Sequence, residues 1–146
     1  MNTSSRRITL ALSLCLGLGC AHSTATGASA AASTEAELRP VTVAELAGLI
    51  ERGGVTVIDN NNRDTFERGH IPGARWIAYD AITAAALPTD RAARVVFYCH
   101  NEQCTACHTA ARQAMALGYS NVFILPAGIV GWTSAGRPVE TGTGPS

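Results

Sequence analysis

Lysine is absent from this chain: all 11 basic residues are Arg, dispersed and balanced by 11 Asp and Glu. With no basic run or stripe, a nucleic-acid partner is not expected. Charged residues are scarce at 15%, while apolar ones reach 47%. That balance excludes wholesale disorder and calls for a packed core. No segment repeats internally, so a stacked-repeat architecture is excluded. A chain of 146 residues has room for one domain. Its N-terminal apolar stretch, Ile8 to Leu18, falls short of the roughly 20 apolar residues that a comfortable bilayer span needs.

That stretch instead fits an export signal over residues 1–20, with Arg6 and Arg7 as its positive start. Cys20, after Leu18-Gly19, resembles the lipidated cysteine of bacterial lipoproteins, although Gly17 stands where that signal usually carries Leu. Cleavage after Ala28-Ser29-Ala30 would give a soluble exported protein, and an uncleaved anchor is a third outcome. The expectation is a protein exported to the periplasmic side and attached to a membrane through lipid on Cys20. Stable attachment would need several acyl chains, since one binds only marginally. Removing the first 19 residues takes away Arg6 and Arg7, leaving nine basic against eleven acidic residues, net −2.

Residues 21–38 are mostly Ala, Ser, Thr and Gly. They cannot offset their ordering entropy and are expected to be a flexible linker. The folded domain is then expected over 39–141, with a loose tail at 142–146.

Within it, Thr42-Val-Ala-Glu45 reads as a capping box, and apolar residues at 43, 46, 47, 49 and 50 continue as a helical stripe. Gly53-Gly54 stops that helix. Val55–Asp59 and Val95–Tyr98 are short, β-branched and apolar, as buried strands are, and Asn121–Leu125 makes a third. Asn60–Asp64 is turn chemistry leading to a short helix around Thr65–Arg68. Gly69–Ala74 is a rigid turn before a brief strand at Arg75–Ile77, and Ala81–Leu87 is read as a helix broken by Pro88. Thr105–Gly118 is read as a helix facing inward through Ala106, Ala110, Ala111, Ala114, Met115 and Leu117. A last short helix covers Gly128–Gly136. Strands alternating with helices argue for an α/β domain with a mostly parallel sheet.

The chemistry is concentrated in residues 98–108, which hold three of the five cysteines and two of the four histidines. Cys99 ends an apolar run, as a nucleophile on a strand-to-helix loop would, or as a buried inert thiol would. Cys104-Thr-Ala-Cys107-His108 spells the C-x-x-C-H signature of covalent haem attachment. Haem is disfavoured because the motif overlaps a helix that should pack on the sheet, and Met115 lies in that same helix. Zinc on Cys99, Cys104, Cys107 and His108 or His100 would draw every ligand from one segment, whereas structural sites usually use two. No metal and no organic cofactor is therefore expected. His70 is read as ordering its turn, and Trp76 and Trp132 as packing residues.

Taken in order, an Asp-ending strand, Gly69-His-Ile-Pro-Gly-Ala74, the strand end Tyr98-Cys99, a helix, Gly118-Tyr-Ser-Asn-Val122 and Gly128–Trp132 resemble the rhodanese-like family of sulfurtransferase domains. The resemblance covers about residues 40–140. It implies a three-layer α/β domain, a mostly parallel central sheet and helices on both faces. It also implies Cys99 as the catalytic nucleophile, carrying sulfane sulfur as a persulfide. His100, Asn101, Glu102, Gln103, Cys104 and Thr105 would form the substrate-binding loop, their amides cradling the sulfur while Glu102 points to solvent. The partner implied is a small sulfur donor or a thiol or persulfide carrier.

The departures from the family lie at this loop. It lacks the Arg or Lys that often holds an anionic donor, and Asn61 stands where Arg is common. Thiosulfate therefore fits less well than a persulfide. Phosphatases and arsenate reductases of the same fold close their loop with Arg six residues after the Cys, where this chain has Thr105. Ester hydrolysis would lack its charge clamp.

Two alternatives remain open. One is a thiol–disulfide redox protein in which Cys104 or Cys107 resolves Cys99. The other is a non-catalytic rhodanese-like binding domain. The bland reading makes Cys104 and Cys107 small residues that pack a helix.

Overall fold

The computed structural model describes residues 37–145. The expected signal peptide over 1–20, Cys20 and most of the expected linker over 21–38 lie outside the described residues. In chain order the elements are β1 (Arg39–Pro40), α1 (Val43–Arg52), β2 (Val55–Asp59), α2 (Arg63–Arg68), β3 (Arg75–Trp76), β4 (Arg94–Tyr98), α3 (Ala106–Ala116), β5 (Val122–Leu125) and α4 (Gly128–Ser134). The five strands form one sheet in the order β1-β5-β4-β2-β3, and every pairing is parallel. This is the α/β architecture read from the alternation of strand and helix patterns.

Both faces of the sheet are covered, which is why β4 reads as an unbroken apolar run. Its side chains alternate between two cores. Val95, Phe97 and Cys99 pack with Cys107, Ala110, Ala111 and Ala114 beneath α3. Val96 and Tyr98 pack on the opposite face with Leu46, Phe66, Ile129 and Trp132. The alternation carries past the last strand residue and sends Cys99 to the α3 side.

The expected elements form for the reasons that made them legible. Thr42 Oγ1 accepts from Glu45 N–H at 3.2 Å, and Glu45 Oε2 accepts from Thr42 N–H at 2.7 Å, closing the capping box. Helix α2 starts two residues earlier than its pattern suggested, because Asn62 Oδ1 caps it by accepting from Thr65 N–H at 2.8 Å. Helix α3 buries Ala110, Ala111 and Ala114 as expected, whereas Leu117 is 37% exposed at its end and Cys107 is buried instead.

Three local expectations are corrected. Residues 81–87 do not form a helix; turns closed by Ala81 N–H to Ala78 O and Ala86 N–H to Thr83 O replace it. Seven residues before a proline are too few to nucleate a helix unaided, and this segment is held by its buried Ile82 and Leu87. Strand β1 was not expected, since two residues carry no periodicity. It forms by adding to β5, with the Arg39 guanidinium 4.2 Å from the Phe123 ring centroid and Nη2 donating to Ser120 O at 3.0 Å.

The third correction concerns the tail, which docks rather than hanging loose. Glu140 exchanges two backbone hydrogen bonds with His70, and Gly142 N–H donates to Glu67 O at 2.8 Å. Gly144, at φ +70°, packs so tightly that a Cβ there would stand 2.6 Å from Phe66 Cζ.

Candidate active site

Strands β2 and β4 are neighbours, yet the chain leaves β2 toward β3 on one side and β4 toward β5 on the other. Such a reversal opens a crevice beyond the C-terminal strand ends, where open α/β sheets bind ligands. A cavity of about 540 Å³ occupies that place. Asn60, Asn61 and Asn62 after β2, Trp76, Ala78 and Tyr79 at and after β3, and His100, Cys104 and Ala106 after β4 line it, with Thr65. Neither Arg nor a carboxylate is among these lining residues.

Cys99 follows directly on β4 and is only 1% exposed. Its loop is held from behind by α4: Ile129 N–H donates to Cys99 O at 2.9 Å and Val130 N–H to His100 O at 3.0 Å. Gly128, at φ +59°, lets that helix start against the loop; a Cβ would overlap both carbonyls. Ahead of Cys99, Asn101 turns the chain back. Its Oδ1 accepts from Gln103 N–H at 3.1 Å and its carbonyl from Cys104 N–H at 3.0 Å. The turn returns Cys104 to Cys99, and the two are joined as a disulfide with Cα atoms 6.3 Å apart, within the usual range for such a bridge.

Cys107, in the first turn of α3, brings a third sulfur. Its Sγ lies 3.4 Å from Cys99 Sγ and the thiol is free and buried. Burial pushes that thiol up to about 11, against smaller opposing contacts from the amides of Cys107, His108 and Cys99. It is therefore a protonated donor at neutral pH.

The floor of the crevice is braced by buried polar groups. Asp59, fully buried at the end of β2, accepts from Asn61 N–H at 2.7 Å and Asn61 Nδ2 at 2.8 Å. Burial raises its carboxyl pKa, opposed by the Tyr98 hydroxyl and by Asn61. The Tyr98 hydroxyl accepts from Ile71 N–H at 3.0 Å, and burial together with the Asp59 charge raises its own pKa. Trp76 Nε1 donates to Asn61 O at 2.8 Å, fixing the wall of the cavity. His70 is fully buried, stacks on Phe66 and has Nδ1 2.9 Å from Phe66 O, so it orders its turn as expected.

A family model, the rhodanese-like domain, matches residues 42–135. The chain belongs to the rhodanese-like family. It is 38% identical over 104 residues to the HTH-type transcriptional regulator Rv0324 of Mycobacterium tuberculosis, a match covering 70% of this chain and 45% of that protein. The rhodanese-like chain thus spans under half the length of that regulator. Among solved structures it is similar to BH2092 of Bacillus halodurans, at 27% identity and TM-score 0.65 over 72% of this chain and 77% of that one. It is also similar to a thiosulfate sulfurtransferase of Pseudomonas aeruginosa, at 28% identity and TM-score 0.65, covering 73% of this chain and 20% of that one.

The rhodanese-like loop distributes the sequence candidates unevenly. His100 and Cys104 line the cavity. Asn101 and Gln103 shape the loop, and Thr105 is the exposed N-cap residue of α3. Glu102 is exposed, as required of it, and borders a separate shallow groove with Val41 and Pro126. The expected cradle of loop amides is not made by Gln103 and Cys104, whose N–H groups turn to Asn101; the Cys104 carbonyl oxygen stands 3.2 Å from Cys99 Sγ instead. Among the described residues, no group of three or more His, Cys, Asp or Glu side chains is placed to hold a metal.

Asn60, Asn62, Thr65, Ala78, Tyr79 and Ala106 were not anticipated as site residues, and Trp76, expected only to pack, also lines the cavity. Tyr79, a large side chain left 47% exposed, and the loop after β2 meet only at the switch point, so no sequence signal marked them.

Proposed function

We propose that this domain is a sulfurtransferase that moves sulfane sulfur through a persulfide on Cys99, with no metal or organic cofactor. The observation that carries the reading is the place of Cys99: it follows β4 directly behind the switch-point crevice, bridged to Cys104 on the crevice wall, with α4 amides holding its loop. The family supports it. In the reduced form the Cys99 thiolate attacks the outer sulfur of a donor persulfide, the donor S–S bond breaks, and the donor leaves as its thiolate. An acceptor thiolate then takes the outer sulfur and returns Cys99 as a thiolate. A lining without Arg or Lys favours a small thiol persulfide over thiosulfate as donor.

Treating reduced protein with polysulfide and weighing its peptides tests this reading. One added sulfur on Cys99, absent in Cys99→Ser, supports it; a wild type that gains none ends it.

Export to the periplasmic side with a lipid anchor on Cys20 belongs to the same proposal. Acyl-chain labelling that survives in Cys20→Ser would remove the anchor from it.

The Cys99–Cys104 bond favours one second reading, a dithiol that cycles between bridged and free states. Its mark is a reversible loss of two free thiols on mild oxidation, abolished by Cys99→Ser.

A further inference from the structure

The bridged pair is asymmetric. Cys99 is buried behind the loop, whereas Cys104 is half-buried and lines the cavity. Which sulfur of a disulfide reacts depends on access and on how well the other sulfur leaves. A nucleophile arriving through the cavity meets Cys104 first, and Cys99 is then the leaving group. Behind it stands the Cys107 thiol, 3.4 Å from Cys99 Sγ. Burial keeps that thiol protonated, so it can donate to the Cys99 thiolate as negative charge develops there.

The cavity also restricts what arrives. Its walls are the indole of Trp76, Tyr79, the imidazole of His100, small side chains and three Asn amides, with no Arg or Lys among the lining residues. A dianion would enter without a counter-charge, and burying unpaired charge is costly. Hydrosulfide is a small monoanion and a nucleophile of the right class.

We propose that the bridged form takes up hydrosulfide at Cys104 and converts it to the Cys99 persulfide. In the first step HS⁻ attacks Cys104 Sγ, a new S–S bond forms there, and the Cys99–Cys104 bond breaks. The electron pair leaves on Cys99 as thiolate, and Cys104 carries the persulfide. In the second step the Cys99 thiolate attacks the outer sulfur of that persulfide. The sulfur moves to Cys99 with its proton, and Cys104 leaves as thiolate. Sulfide is oxidised by two electrons and the disulfide is reduced by two, so no other oxidant is consumed. A second turnover requires an external disulfide oxidant to re-form the bridge. This inference rests on the reading of Cys99 as the persulfide carrier and adds a source for its sulfur.

The test uses the full chain in its bridged form, treated with sodium hydrosulfide and quenched at increasing times with an alkylating reagent. Proteolysis after Arg94, Glu102 and Arg112 separates Cys99 from Cys104 and Cys107. One added sulfur is expected per chain, on the Cys104 peptide at early times and on the Cys99 peptide later. Cys104→Ser should lose hydrosulfide uptake. No uptake by the bridged chain, or sulfur appearing first on Cys99, overturns the proposal. The reduced chain treated with polysulfide is run in parallel. If that arm loads Cys99 while the bridged arm takes up nothing, the inference fails alone; if neither loads, the transferase reading fails with it.

Discussion

Gly128 stands so close to Cys99 that a Cβ on it would lie 2.5 Å from the Cys99 carbonyl oxygen. The next residue, Ile129, donates its amide to that same carbonyl at 2.9 Å. Two segments 29 residues apart therefore share one backbone contact, and the position of Cys99 depends on a side chain being absent. Gly128→Ala combines a strained positive φ with an overlap that neither carbonyl can relieve without moving the loop. It should cost at least about 2 kcal/mol, read from urea unfolding, and should speed alkylation of Cys99 in the reduced protein. Stability within about 0.5 kcal/mol of wild type would show that the contact does not hold the loop.

Cys107 makes the stability of the bridged protein depend on pH. Its thiol is raised by burial from 9.0 to about 11. The unfolded chain ionises Cys107 near pH 9, while the folded chain keeps the proton until about pH 11. The contribution is fully present below pH 9 and is lost as pH rises toward 11, by on the order of 2 to 3 kcal/mol. Cys107→Ala should lose less stability than wild type across that window. Equal slopes in urea midpoint against pH would contradict the assignment.

Tyr98→Phe should destabilise by taking an acceptor from the Ile71 amide and a donor from the buried Asp59 carboxyl. Ile71, fully buried, donates its amide to the Tyr98 hydroxyl at 3.0 Å. Phe would leave that N–H without a partner in a dry site, at a cost of roughly 1 to 3 kcal/mol. Denaturant titration of the two proteins measures it, and a difference near zero would mean that water reaches the amide.

Ala106→Arg tests the cation deficit of the cavity. Ala106 lines the wall on the first turn of α3, beside Cys104. A guanidinium there would supply a charge-assisted contact for thiosulfate, of the order of 1.4 kcal/mol or more. Sulfur loading of Cys99 from thiosulfate should rise about tenfold, while loading from a thiol persulfide should change much less. An unchanged thiosulfate rate would place the limit elsewhere.

Much of this protein was determined by local pattern. Short, β-branched apolar runs marked β2, β4 and β5, the capping box marked α1, and the order of short motifs around Tyr98-Cys99 pointed to the family. These signals are legible because each strand or helix is specified by neighbours within a few residues. Tertiary structure decided the rest. The docking of Gly142 and Gly144 on α2, the two-residue strand β1 and the cavity walls at Asn60–Asn62, Trp76 and Tyr79 join positions far apart in the chain.

The same division runs through the cysteines. That Cys99 follows a buried strand was in the sequence. That Cys104 bridges to it and faces the cavity, while Cys107 is sealed behind as a protonated thiol, was settled by the Asn101 turn and by burial under α3. Both depend on which groups the sheet and helices exclude from water, and no spacing along the chain encodes that.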